Sequence, residues 1–357
     1  MKKIGILTFH RAVNYGAVLQ TYALQTHLNK NGCSANIINY MCPKIENDYS
    51  LNFFKKNTLK EKMNFLFGII WSYKRKCIFK QFRDEYLIET KEAFSSEDMM
   101  RLGDNLDVAI VGSDQVWQES LTNNDLTFFL KDFPKCIKFS YAASFLKNGN
   151  DFNKNKLELL NSFRSISVRE EENELLLKGK LTKDIKTVCD PVLLLEENDW
   201  KQFISNTPRE SKNYVLVYYV VKSEEMLKYA EKLAKERNCE LIVITTSLKK
   251  LVKAKYYRAI SPVKFVELFY NADVVVTSSF HGVAFSVIFN KDLYTPYYLT
   301  KGKENLRVIN LLNRLGIQNR YFDLESLSNE KIDYNLVNEK KKKFIDFSKD
   351  FIEKSMN

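Results

Sequence analysis

His281 closes one half of the segment Asp273–Ser286, DVVVTSSFHGVAFS, in which a run of valines leads into two serines, an aromatic, the histidine and a glycine. Consecutive β-branched residues predict a buried strand, and the apolar run from Gly282 to Phe289 predicts a helix. His281 then stands at a strand-to-helix turn. An imidazole exchanges a proton near neutral pH, and the backbone N–H groups of Gly282 and Val283 at a helix start favour an anion. That combination fits general acid–base chemistry on an anionic substrate. The plainer reading is that His281 bonds a loop carbonyl and packs against Phe280.

Three more segments carry residues of the same kind. In Thr8–Gln25, TFHRAVNYGAVLQTYALQ, the turn holds His10, Arg11, Asn14, Tyr15 and Gly16 ahead of a helix. Asn14-Tyr15-Gly16 suits a phosphate or a sugar hydroxyl at a helix N-terminus, or is a solvated bend. Neither GxGxxG nor a Walker lysine is present, so dinucleotide and ATP binding have no motif behind them. In VAIVGSDQVW, Asp114 ends a strand as a helix N-cap or as a partner for a sugar hydroxyl, and Trp117 offers a sugar-stacking face or is core. In SISVREEE, Arg169 leaves a strand and can hold a carboxylate or phosphate at two points, or pair with Glu170–Glu172.

The elements that must position these residues alternate along the chain. Lys3–Phe9, a helix over Val18–Asn29 stopped at Gly32, and Asn36–Tyr40 make a βαβ opening. Val108–Val111, Ile137–Ala142, Ser165–Val168 and Thr187–Cys189 continue the strands. The alternation restarts with Tyr214–Val220, Glu224–Glu236, Leu241–Thr245, Ser261–Asn271, Asp273–Thr277 and Lys291–Tyr297. The pattern predicts an α/β protein of two doubly wound halves, joined near Glu196–Lys212 and facing across a cleft. Their boundaries are expected at 1–200 (acceptor side) and 201–325 (donor side), with a helical tail over 326–357. Ligands in such folds sit beyond the carboxyl ends of the strands.

Composition narrows the class. The chain has 357 residues, 45% hydrophobic and 28% charged, with 11 Gly and 6 Pro, which excludes collagen-like and low-complexity proteins. Its 6 cysteines are scattered without a CxxC pair, predicting reduced thiols in a cytoplasmic protein and no metal site. The apolar run in MKKIGILTF is too short for a signal peptide, and no stretch is long enough to span a bilayer. Net charge is +11. Between Leu51 and Arg83, nine Lys or Arg stand against Glu61 alone. Such a basic stretch suits anions or an acidic lipid face, and its aromatics Phe53, Phe54, Phe65, Phe67 and Trp71 would otherwise cover core. No nucleic-acid module accompanies it. The tail, with Lys340–Lys343 and then Phe344, Phe347, Phe351 and Ile352 at helical spacing, predicts an amphipathic helix packed on the protein itself.

Taken in order, GILTFHRAVNYGAVLQTYAL, VGSDQVW, SYAASF, SVREEE, CDPVLLL and SSFHGVAFS resemble the polysaccharide pyruvyl transferase family. The phrases run from residue 4 to about residue 320. The resemblance implies a GT-B-like pair of Rossmann domains, and transfer of pyruvate from phosphoenolpyruvate to a cell-surface sugar as a ketal. No cofactor is implied beyond that donor substrate. His281 matches the family histidine as acid or base, Arg169 the arginine of its SxRE segment as donor ligand, and Lys301 (or Lys303) a lysine beyond the histidine. Ser279 and Gly282 flank the histidine on the donor side; Asn14, Tyr15, Asp114 and Trp117 fall to the acceptor. Many members carry arginine where Ser279 stands, so a cation must come from elsewhere, with Arg307 and Arg11 as candidates.

Phosphoenolpyruvate carries a phosphate and a carboxylate, which calls for several cations. The acceptor implied is a sugar, carried on undecaprenyl diphosphate at the inner membrane face, with residues 51–83 resting on that face. Two rival functions share these residues: a nucleotide-sugar glycosyltransferase of the same fold, and a carbohydrate-binding protein without catalysis.

Overall fold

A computed structural model of the chain describes residues 1–48, 59–145, 152–210, 213–219, 223–296, 305–322 and 331–357, with 59–67 described by backbone alone. The chain divides into two compact units. The first comprises Met1–Leu51, Phe79–Leu195 and Phe344–Asn357; the second comprises Asn52–Ile78 and Glu196–Lys343. The chain first crosses at Leu51/Asn52, returns at Ile78/Phe79, and crosses again at Leu195/Glu196, at the start of the expected join. The segment expected as a separate tail is divided between the units at Lys343/Phe344.

The first unit holds β1 (Lys3–Leu7), α1 (Tyr15–Lys30), β2 (Ser34–Ile37), α2 (Pro43–Asp48), the last turns of α3 (Leu59–Tyr86), α4 (Ser96–Gly103), β3 (Val108–Val111), α5 (Glu119–Thr122), β4 (Ile137–Ala143), α6 (Lys154–Asn161), β5 (Ser165–Val168), α7 (Glu171–Leu177) and β6 (Ile185–Thr187). Its sheet is wholly parallel, in the order β2-β1-β3-β4-β5-β6. Val108–Val111 is buried at every position, as a strand covered on both faces must be. Asn14 caps α1 through its Oδ1, which accepts from Ala17 N at 3.3 Å, so the helix starts three residues earlier than its apolar spacing predicts.

The second unit holds α8 (Glu197–Phe203), β7 (Tyr214–Tyr218), α9 (Glu224–Glu236), β8 (Glu240–Ile244), β9 (Lys255–Tyr257), α10 (Pro262–Asn271), β10 (Val274–Thr277), α11 (Phe280–Ile288), β11 (Asp292–Pro296), α12 (Leu306–Leu315) and β12 (Tyr321–Phe322). Its sheet is parallel, in the order β12-β11-β10-β7-β8-β9. Ser261 caps α10 and Pro262 opens it, so the helix starts one residue later than the sequence pattern predicts. Helix α11 begins at Phe280, so His281 lies in its first turn rather than ahead of it.

The final helix, α13 (Tyr334–Met356), packs on the protein as predicted, though only part of the expected apolar face turns inward. Phe351 and Ile352 are buried, whereas Phe347 is 44% exposed. The inner face includes two serines. Ser348 Oγ accepts from Cys189 N at 2.9 Å, and Ser355 Oγ lies 2.5 Å from Ser165 Oγ. Among the described residues no helix is long and apolar enough to cross a membrane.

Candidate active site

In each sheet the order in which the chain adds strands reverses at one point, and the chemistry-bearing segments lie there. In the second unit, β7 and β10 are neighbours, and the chain leaves them toward opposite edges of the sheet, through α9 to β8 and through α11 to β11. The loops beyond such a pair part and leave a crevice at their carboxyl ends. Thr277, Ser278, Ser279 and His281 occupy that position.

Local bonds hold the segment tightly. Thr277 Oγ1 donates to Tyr218 O at 2.5 Å and accepts from Ser279 N at 3.1 Å, tying β10 to the end of β7. Ser279 is the N-cap of α11: its Oγ accepts from Gly282 N at 3.4 Å, and its carbonyl accepts from Val283 N at 3.0 Å. The Gly282 and Val283 N–H groups are therefore engaged by Ser279, not turned toward an anion as expected. Gly282 serves another purpose, because a Cβ there would meet Thr277 Oγ1 at 2.2 Å. It lets α11 sit directly on β10. Ser279 has one lone pair of its oxygen engaged in the cap, leaving its hydroxyl hydrogen and the other lone pair for a ligand.

His281 is half-buried, with its ring edge-on to Phe280 at 5.3 Å and 88°. Asn305 Nδ2 donates to Ser278 O at 2.9 Å, which brings the start of α12 beside this loop. Arg307, two residues on, is half-exposed in the first turn of α12. Ser278 Oγ is buried and has no hydrogen-bond partner among the described residues. Nothing local separates Ser278 from its neighbours, and Asn305 carries no signal, since its partner lies 27 positions away. Lys301 and Lys303 lie outside the described residues.

In the first unit the reversal falls between β1 and β3, bringing the Thr8–Asn14 and Gly112–Trp117 segments to one edge. Thr8 Oγ1 donates to Ser113 O at 2.8 Å and accepts from Gln20 Nε2 at 2.8 Å. Asn14 is exposed at the start of α1. Asp114 is part-buried and caps no helix. Its φ of 82° is left-handed, and its Oδ1 accepts from Gln115 N at 2.9 Å. A non-glycine residue held in that region is a conformational cost that clusters at functional sites.

Several candidates in this unit prove structural. Tyr15 is 5% exposed, its ring 5.1 Å from Phe79. Trp117 is 2% exposed, stacked on Phe129 at 5.8 Å with its Nε1 donating to Phe128 O at 3.0 Å. Neither ring presents a face to a sugar. Arg169 is buried, its Nε on Glu170 and its Nη1 on Asp190, each at 2.9 Å. Burial by itself would lower the guanidinium pKa; Glu170, Asp190 and Asp114 outweigh it, and the pKa is raised. Two carboxylates already meet its charge, so Arg169 ties β5 to the end of β6 rather than offering itself to a donor anion. Arg11 is likewise engaged, by Glu46 at 2.5 Å and Asn39 at 3.0 Å. His10 is buried between Thr8 O and Asn39 Oδ1, and that burial pushes its pKa down to about 4 despite both bonds.

A model of the polysaccharide pyruvyl transferase family matches residues 14–292. The chain belongs to that family. No curated protein matches it. The polysaccharide pyruvyl transferase fold is shared with proteins of very different sequence. A UDP-GlcNAc 2-epimerase from Neisseria meningitidis bound to UDP-GlcNAc superposes with a TM-score of 0.51 at 11% identity, covering 100% of this chain and 94% of that one. An alpha-glucosyltransferase in complex with UDP and a 13-mer DNA gives 0.53 at 9% identity, covering 98% and 90%. At such identities the likeness shows the fold alone: the pair of Rossmann-like domains found in GT-B glycosyltransferases and epimerases. The family is one of transferases in polysaccharide pyruvylation.

Proposed function

We propose that this protein transfers the pyruvyl group of phosphoenolpyruvate to a sugar of a cell-surface polysaccharide or its undecaprenyl-diphosphate-linked precursor, forming a pyruvate ketal. The reading rests on one observation above the others. His281 lies in the first turn of α11, half-buried, at the point where the second sheet reverses. With the Gly282 and Val283 N–H groups taken by Ser279, what the helix start offers the donor's phosphate and carboxylate is the positive end of its dipole. Arg307 on the neighbouring helix and Lys301 are the cations assigned to them, and Ser278 Oγ is a buried hydroxyl available for a donor oxygen. Asn14 and Asp114, at the reversal of the first sheet, are assigned to the acceptor.

The chemistry moves two protons: the two sugar hydroxyls give up one each, and the donor's methylene carbon and the departing phosphate take up one each. Protonation of the donor's methylene carbon leaves an electrophilic C2, which a sugar hydroxyl attacks. Loss of phosphate and attack by a second hydroxyl on the same sugar close the ring. His281 is assigned the proton transfers. A positioned acid or base contributes about 10²–10⁴ in rate, so His281→Ala should lower phosphate release from phosphoenolpyruvate by that factor in the presence of a lipid-linked galactose, mannose or N-acetylhexosamine acceptor. Undiminished release would sink the assignment, and consumption of a nucleotide sugar in place of phosphoenolpyruvate would sink the reading as a whole.

A further inference from the structure

The middle of α3 carries bulky apolar side chains that are open to solvent. Ile70 is 72% exposed, Trp71 38% and Tyr73 61%, whereas Phe79 and Phe82, a few residues on, are buried against α1. Phe79 and Phe82 thus anchor the last turns of the helix, and bulky apolar side chains face solvent about two turns earlier. Solvent exposure of that much aromatic and aliphatic surface in one short stretch marks a contact site.

The charges around it say what the contact is. Lys74 and Lys76 are exposed, and Lys74 Nζ lies 5.7 Å from the centre of the Trp71 ring. No acidic residue occurs between Glu61 and Asp84. A protein partner or a second copy of this helix would have to cover cations against cations, or bring a dense acidic face of its own. An anionic bilayer meets both demands together. Tryptophan and tyrosine settle at the headgroup level, isoleucine enters the acyl boundary, and lysine and arginine stay with the phosphates. We infer that residues 70–76 of α3 are a peripheral docking element for an anionic lipid surface. The surface stands independently of the transfer chemistry; it rests on the proposed function only in making the lipid-carried acceptor the reason for docking.

The test is co-sedimentation of the full chain with vesicles of equal parts phosphatidylglycerol and phosphatidylcholine, and with vesicles of phosphatidylcholine alone. Binding is expected to the first and not the second, and to be released by high salt. Changing Lys74 and Lys76 to alanine should lower the partition coefficient about thirtyfold, at about one kcal/mol per cation near the surface. Trp71→Ala with Tyr73→Ala should lower it as well, with an unchanged circular dichroism spectrum because these side chains are exposed. No sedimentation of the wild type, equal binding to uncharged vesicles, or binding untouched by both variants would overturn the inference. So would a dimer in solution that Trp71→Ala dissociates, since the helix would then be covered by its own copy. Neither donor nor sugar enters the assay, so vesicle binding can fail while turnover of a soluble acceptor persists, and the reverse.

Discussion

A Cβ built on Gly282 would stand 2.2 Å from Thr277 Oγ1, with the Thr277 Cβ at 2.9 Å. The hydroxyl cannot simply rotate away, because it donates to Tyr218 O and accepts from Ser279 N. The first turn of α11 is thus held against the ends of two adjacent strands, and His281, one residue earlier, is held with it.

Gly282→Ala should consequently disturb stability and site together. Overpacking of this kind costs about 1–3 kcal/mol, measurable by chemical denaturation, and the displaced His281 should lower turnover in the same protein. Unchanged stability with unchanged turnover would show that α11 is not seated on Thr277.

Arg169→Ala tests the reassignment of that residue. Removing it leaves the carboxylates of Glu170 and Asp190 buried without their cation, a loss of about 3–5 kcal/mol. Lysine cannot span both acids as the guanidinium does, so Arg169→Lys should remain well below wild type in denaturation midpoint. A variant of normal stability with a raised KM for phosphoenolpyruvate would instead return Arg169 to the donor site.

Trp117 separates core from acceptor contact. It is packed among Phe129, Phe145 and Phe152, and Trp117→Ala should cost about 3–5 kcal/mol through the cavity it opens. Trp117→Phe should keep most of the stability and leave the acceptor KM unchanged; a KM raised without loss of stability would contradict the core assignment.

His10 should make the protein acid-sensitive. Its pKa is about 4 when folded, against a reference value of 6.5. The unfolded chain therefore takes up its proton first as pH falls. Above 6.5 both states are neutral at this residue and it contributes no pH dependence. Between 6.5 and 4 the folded state loses stability, reaching about 3 kcal/mol at the lower end. His10→Gln, compared with wild type by thermal melts across this range, should flatten that part of the profile. An equally steep profile in the variant would place the titration elsewhere.

The sequence by itself determined the alternation of strands and helices, because its signals are local. Runs such as Val108–Val111 and Ser165–Val168 read as strands at their observed bounds, and Glu224–Glu236 as a helix at its own. The same local signals put His281 at the end of a strand. Element ends were less legible where a side chain sets them, as Asn14 does for α1 and Ser279 for α11. The exposure of Trp71 stayed open between two readings, since cations and aromatics at this density fit a covering layer as well as an open face.

Only the tertiary structure decided which polar groups are matched. Arg169 looked like an anion ligand because its partner Asp190 lies 21 positions away and comes into contact only when β5 and β6 pair. Trp117 could have faced a sugar until Phe129, Phe145 and Phe152 closed around it. Ser278 was one hydroxyl among several until β10 paired with β7 and left its Oγ buried beside the crevice. Strand order is fixed by the packing of whole elements, and it is strand order that sets burial and partnership. A sequence shows each residue's chemistry; the fold determines which of those residues already have their charge and hydrogen bonds met from within.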